Sequence, residues 1–135
     1  YDYVVMADVI EHIPNPQPVL DGLLRHMAPD TKLLVSLPNV AFAGVRIALL
    51  RGQFNYTDSG ILERTHLRFY TLDIAKALFS NLGLHSLSIT FLQRSIAGTE
   101  FSVLRSCLHC FAHLRLAFDP TARAYQYLFL LRPQS

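Results

Sequence analysis

Residues 1–37 read YDYVVMADVIEHIPNPQPVLDGLLRHMAPDTKLLVSL, and the change of hydrophobic period along them decides the fold. Residues 1–7 are rich in β-formers and continuously apolar, as in a strand buried on both faces. After the Pro14–Pro18 turn, apolar side chains at 19, 20, 23, 24 and 27 fall at helical spacing, with Pro18 suited to a first turn. Ala28-Pro29-Asp30 closes that helix, and residues 32–37 (KLLVSL) form a second buried strand. Strand, helix and strand within about forty residues make a βαβ unit, whose two strands should run parallel.

Working outward, Pro38-Asn39 ends the second strand and residues 41–50 read as a short helix. Residues 52–70 have no clean periodicity; an aromatic-bearing loop of that length in a compact domain is usually functional. Thr71 suits an N-cap, residues 72–82 a helix and Gly83 its stop, with a strand over 84–92. The apolar spacing predicts a further helix over 101–118 ended by Pro120, then a last strand over 124–131. Strands alternating with helices predict a three-layer α/β fold, with ligands outside the carboxyl ends of the strands.

The chain has 135 residues, enough for one domain with a moderate core. Only 16% are charged against 51% hydrophobic, which implies that something outside the chain covers part of its apolar surface. A formal charge of +2 gives no argument for a nucleic-acid partner. No apolar stretch is long enough to span a bilayer, so no membrane partner is expected. No secretory signal pattern is visible, and two cysteines cannot make a disulfide framework; the expected setting is cytoplasmic. The chain opens almost directly into a strand without an initiator methionine, as if cut from something longer.

Asp8, Glu11 and His12 directly follow the first strand at i, i+3, i+4, so one helical turn would aim them together. Three ionisable side chains on such a turn are either solvated, or costly to bury unless they are paired or bind something. The second polar group is GILERTHLRFYT, residues 60–71, where His66 stands between Arg64 and Arg68 ahead of Phe69-Tyr70. The plainer alternative is a loop with its arginines in solvent and its aromatics anchored to the core. Asn39 either orients substrate or stitches the strand-end loop to its neighbour. Arg46, Arg64 and Arg68 either grip an anionic substrate group or form surface ion pairs. Cys107-Leu-His-Cys110, with His113 beyond, lacks a second ligand pair at zinc-ribbon spacing; half-buried thiols on a helix account for it better.

YDYVVMADVIEHIPNPQPVL, KLLVSLPNV and GQFNYTDSGILERTHLRFYT together resemble the second half of class I S-adenosylmethionine-dependent methyltransferases, over residues 1–92. Residues 93–135 match only in element order. The resemblance implies a truncated Rossmann-like α/β sheet whose last strand is antiparallel and inserted between its neighbours. It makes the first strand the family's fourth, so the N-terminal cofactor-binding half is absent; no G-x-G-x-x-G turn occurs. It places Ala7 and Asp8 beside the methionine end of S-adenosylmethionine.

The small-RNA 2′-O-methyltransferases and the similar ubiquinone-pathway O-methyltransferases carry acid-x-x-Glu-His after that strand and a later lone histidine, which hold magnesium. The matching positions here are Asp8, Glu11, His12 and His66. A divalent ion there would acidify and orient an acceptor hydroxyl. Two carboxylates suit magnesium, whereas two imidazoles favour manganese, iron or zinc. The competing reading makes His12 or His66 a metal-free catalytic base.

The expected function is methyl transfer to a hydroxyl of a sugar-containing or small polar substrate, a glycan partner following from the company such relatives keep. The rival is an inactive half-domain acting as an assembly module, self-pairing as a homodimer through the exposed edge of the first strand.

Overall fold

The computed structural model describes residues 1–93 and 119–134. In chain order it contains β1 (Tyr3–Ala7), a single 3-10 turn (Ile10–His12), α1 (Pro16–Leu24), β2 (Lys32–Pro38), α2 (Ala43–Leu50), α3 (Leu72–Asn81), β3 (Leu84–Gln93), a short helical turn (Pro120–Arg123) and β4 (Ala124–Pro133). The helix expected over 101–118, with Cys107, Cys110 and His113, lies outside the described residues.

The four strands form one sheet in the order β1-β2-β4-β3. β1 and β2 are parallel, with Val4 opposite Leu33 and Met6 opposite Val35. β4 lies between β2 and β3, antiparallel to both, with Leu33 opposite Leu131 and Ile89 opposite Phe129. The alternation fixed by this register sends Met6, Leu33, Val35, Leu37, Tyr127, Phe129 and Leu131 to one face. There they join Ile10, Leu20 of α1, and Ala75 and Phe79 of α3 in the main core. A second cluster packs Phe42 and Val45 of the α2 region on Ile61 and Leu62 of the long loop.

The expectation that β1 is buried on both faces is corrected. Its burial alternates, and Tyr3 and Val5 are 57% and 61% exposed. Among the described residues β1 is the end strand of the sheet, and its exposed Tyr3 and Val5 leave that face largely in solvent. Local signals place most element ends well. Thr71 Oγ1 accepts the amide of Ile74 as the N-cap of α3, and Gly83 ends that helix at φ +67°. α1 starts at Pro16 and holds Pro18 in its first turn, as expected, because proline is tolerated throughout a first turn whose amides have no partner; it ends at Leu24, short of the expected stop at Ala28-Pro29-Asp30. Pro120 begins a short helical turn, with the carboxylate of Asp119 accepting the Thr121 amide as N-cap at 2.9 Å; the helix it was expected to end lies outside the described residues.

Candidate active site at the strand ends

The parallel strands deliver their carboxyl ends to one rim, where the acidic turn and the long loop meet. Ile10 is fully buried and draws the 3-10 turn inward, so that Glu11 on the same turn is only 1% exposed. The long loop then folds onto this turn. It is compact because Thr57 N donates to Leu62 O at 2.9 Å and Arg64 N to Thr57 O at 3.0 Å, closing a small bridge over buried Ile61 and Leu62. Gly60 makes the reversal at φ +93°, and any Cβ there would stand 2.6 Å from the Tyr125 hydroxyl oxygen, so only glycine fits. Beyond it, Leu67 N and Arg68 N both donate to Glu11 O, at 2.8 and 3.0 Å, and Val40 N donates to Tyr70 O at 3.0 Å. Main-chain bonds at both points pin the segment carrying His66 against the acidic turn.

The outcome is a group of three. A carboxylate oxygen of Glu11 and a ring nitrogen each of His12 and His66 lie within 4.8 Å of one another. The two imidazoles meet edge to face at 4.8 Å between centroids. His12 Nδ1 is 3.1 Å from Thr65 O, and His66 Nδ1 is 2.9 Å from Ile61 O. A carbonyl only accepts, so each Nδ1 donates, and Nε2 is the ring nitrogen whose lone pair is left for coordination. Tying Nδ1–H to a carbonyl is the arrangement that orients metal-ligating histidines. Both carboxylate oxygens of Glu11 are buried without a hydrogen-bond partner. Burial pushes its pKa above the usual 4.5 and the charge of Asp8 adds to the rise, while the pull of its own backbone amide, too poorly aligned to bond, and then of the two histidines opposes it. A desolvated, unpartnered carboxylate costs on the order of several kcal/mol if ionised. This donor set therefore fits a divalent cation: a buried carboxylate without a hydrogen-bond partner and two imidazoles held by backbone carbonyls, with one donor atom of each within 4.8 Å of the others.

Asp8, expected as a fourth donor, is not in this group. Its Oδ1 accepts from Ser36 Oγ at 3.0 Å and from Gln126 Nε2, while its own amide donates to Ser36 Oγ at 2.9 Å. It stands at the end of β1 next to Ala7, both exposed on the rim. Sequence reasoning missed Ser36 and Gln126. The one signal for each is a polar residue interrupting an apolar strand, KLLVSL and AYQYLFLL.

The remaining candidates divide by their partners. Asn39 is fully buried; its Nδ2 donates to Thr121 O and Ala124 O, both at 2.7 Å, and its Oδ1 accepts from Ala41 N at 2.8 Å. Of the two roles open to it in the sequence, stitching is the one its bonds perform. Arg46 donates from Nε to Ala41 O, from Nη1 to Asp119 Oδ2 at 2.7 Å and from Nη2 to Thr121 Oγ1 at 3.0 Å, joining α2 to the approach of β4. Arg68 donates to Pro14 O at 2.6 Å, strapping the loop to the proline turn. Arg64 pairs with Asp58 at 2.9 Å in an exposed contact.

The strand order, the antiparallel inserted last strand and polar groups at the strand carboxyl ends define a Rossmann-like methyltransferase fold. The chain belongs to the methyltransferase domain family, whose model matches residues 1–89. Solved structures agree on the fold. The small RNA methyltransferase HEN1 superposes with a TM-score of 0.59 at 16% identity, over 99% of this chain and 14% of its own. An S-adenosylmethionine-dependent methyltransferase from Methanosarcina mazei gives 0.55 at 11% identity, over 99% of this chain and 59% of its own. The chain thus spans less than two thirds of the length of either. Among curated proteins none matches the chain.

Proposed function

We propose that the chain forms the acceptor side of an S-adenosylmethionine-dependent O-methyltransferase acting on a hydroxyl of a sugar-containing or small polar substrate. Glu11, His12 and His66 would hold a divalent ion. The observation that carries this reading is the buried Glu11 carboxylate, unpartnered at both oxygens and faced by two histidines tied through Nδ1. A divalent ion so held favours a hydroxyl acceptor, whose proton it would acidify, over an amine that is already nucleophilic.

The divalent ion, when bound, supplies Lewis acidity that lowers the pKa of an acceptor hydroxyl. The chain's own residues do the rest by placement. Thr65 and Ile61 carbonyls hold the His12 and His66 Nδ1 protons, so neither ring can turn its lone pair away. Ala7 and Asp8, at the end of β1, border the sulfonium end of the cofactor. Arg64 and Arg68, on the same loop as His66, flank the acceptor and favour one bearing phosphate or carboxylate. Transfer is an in-line displacement at the sulfonium methyl, in which holding the two reactants in line provides most of the acceleration.

Calorimetric titration of the full-length protein with MnCl2 tests the site. One ion per chain should bind, and Glu11→Gln or His66→Ala should weaken that binding about a hundredfold or more. Failure to bind removes the metal. Methyl transfer that survives exhaustive chelation with His66 still required would leave that imidazole as the base. Radiolabelled S-adenosylmethionine offered with hydroxylated acceptors should leave label on an ether oxygen; label on nitrogen would overturn the acceptor class.

A second reading rests on the edge position of β1 and the exposure of Tyr3 and Val5. The strand would pair with a second copy, and sedimentation of the isolated chain would then report a dimer that a proline at Val5 disperses.

A further inference from the structure

Asp8 stands three residues before Glu11, yet its carboxylate is bonded away from the group of three. We propose that Ser36 and Gln126 form a latch that holds Asp8 out of the metal's ligand set, and so decide which divalent cation the site accepts. The inference rests on the metal reading above and departs from the four-ligand set that the family resemblance implies.

Three features build the latch. The first is a reciprocal pair: Asp8 N donates to Ser36 Oγ at 2.9 Å, and the same hydroxyl donates to Asp8 Oδ1 at 3.0 Å. Gln126 Nε2 adds a second donor to that oxygen. The second is the backbone. Asp8 has φ +52°, the one non-glycine in the left-handed region among the described residues. Aspartate tolerates this conformation better than most residues, but it persists where neighbours over-determine it, as the two bonds to Ser36 do.

The third is the sheet register. Ser36 stands opposite Ala7 on one side and Leu128 on the other, and Gln126 stands opposite Pro38. These positions alternate with Val35, Leu37 and Tyr127, which point into the main core. The latch therefore sits on the outer face of the sheet, at the ends of three adjacent strands. Ile10, two residues on, is already in the core on the inner face, and Glu11 is buried beside it. Between Asp8 and Glu11 the chain crosses from one face to the other.

The chemical consequence concerns ligand hardness. With Asp8 latched, the protein offers one carboxylate and two imidazoles, a set that favours manganese, iron, cobalt or zinc over magnesium. Released, Asp8 would supply a second carboxylate and make the site acceptable to magnesium. Ser36 and Gln126 are thus positioning residues that touch no ion and still select it.

Titration of the full-length protein with MnCl2 and MgCl2 tests this, with melting in chelator confirming that each variant folds. In the otherwise wild-type protein, Asp8→Asn should change manganese affinity by less than about threefold. Gln126→Ala, and independently Ser36→Ala, should raise magnesium affinity about tenfold or more, and adding Asp8→Asn to either should cancel that gain. Two results would overturn the latch. One is a loss of about tenfold or more in manganese affinity from Asp8→Asn alone, which would make Asp8 a ligand already. The other is magnesium affinity indifferent to both latch variants. Ion binding unaffected by Glu11→Gln, or none at all in the wild type, would mark failure of the underlying metal site rather than of the latch alone.

Discussion

Asn39 and Glu11 are both buried polar side chains at the carboxyl ends of neighbouring strands, 0% and 1% exposed, and they are treated in opposite ways. Asn39 has both amide hydrogens donated and its oxygen accepting, all to backbone. Glu11 has its main-chain oxygen doubly used and its carboxylate not used at all. Around Asn39, Arg46 and Asp119 continue the pattern of satisfied groups. Around Glu11, the hydrogen bonds that His12 and His66 make are at Nδ1, to the Thr65 and Ile61 carbonyls. A buried polar group with all its bonds made is scaffold. One whose bonds are made everywhere except towards a shared point is waiting for something to arrive there.

The largest effect should come from the unsatisfied group. Glu11→Gln should weaken manganese binding by about a hundredfold or more, and His66→Ala likewise, by calorimetry. In chelator at neutral pH, Glu11→Gln should cost little stability or increase it, because the amide is no charge to desolvate. A drop of several kcal/mol there would put Glu11 in the same class as Asn39 and erase the contrast. Asn39→Ala should do the reverse. It leaves three backbone partners without the side chain and should lower unfolding free energy by about 2–4 kcal/mol in urea, with ion affinity unchanged in the folded fraction.

Acid titration separates the two regions by sign. Burial raises the pKa of Glu11 above 4.5, so the folded protein keeps a proton that the unfolded chain releases. The ion-free protein therefore loses stability as pH rises from about 4.5 through the raised folded value, and Glu11→Gln should flatten that limb. Asp119 runs the other way. The Thr121 hydroxyl above all, with Arg46 adding, holds it below 3.8, so its contribution is present above that value and is lost as pH falls through the folded one. Arg46→Met should remove part of that acid limb, by about 0.5 kcal/mol, since both partners are roughly a third exposed and screened.

How much of this was legible in the sequence follows from the range of the forces involved. The βαβ unit, the N-cap at Thr71 and the glycine stop at 83 depend on neighbours a few residues away, and a local pattern reveals them. The meeting of His66 with Glu11 and His12 depends on main-chain bonds across more than fifty residues, such as Leu67 N to Glu11 O; family likeness, not periodicity, brought those residues together. The latch on Asp8 was not legible, because Gln126 reaches it from a strand 118 residues away through a single amide. Nor was the one-sided burial of β1, since continuous apolarity says that a strand wants cover on both faces and not whether cover is present.

The smallest expected effect is the most direct check on how the arginines were sorted. Arg64 bonds Asp58 with side chains 66% and 92% exposed, whereas Arg46 makes three bonds to two elements. An exposed pair recovers little Coulomb energy once water screens it and two long side chains have been ordered. Arg64→Ala should therefore leave the melting temperature within about 1 °C, with or without added salt. Should an acceptor carrying phosphate or carboxylate be found, the same variant should raise its KM with kcat nearly unchanged, as expected of a group that binds the ground and transition states alike. A clear loss of stability instead would move Arg64 to the scaffold with Arg46 and leave Arg68 as the loop's candidate anion contact.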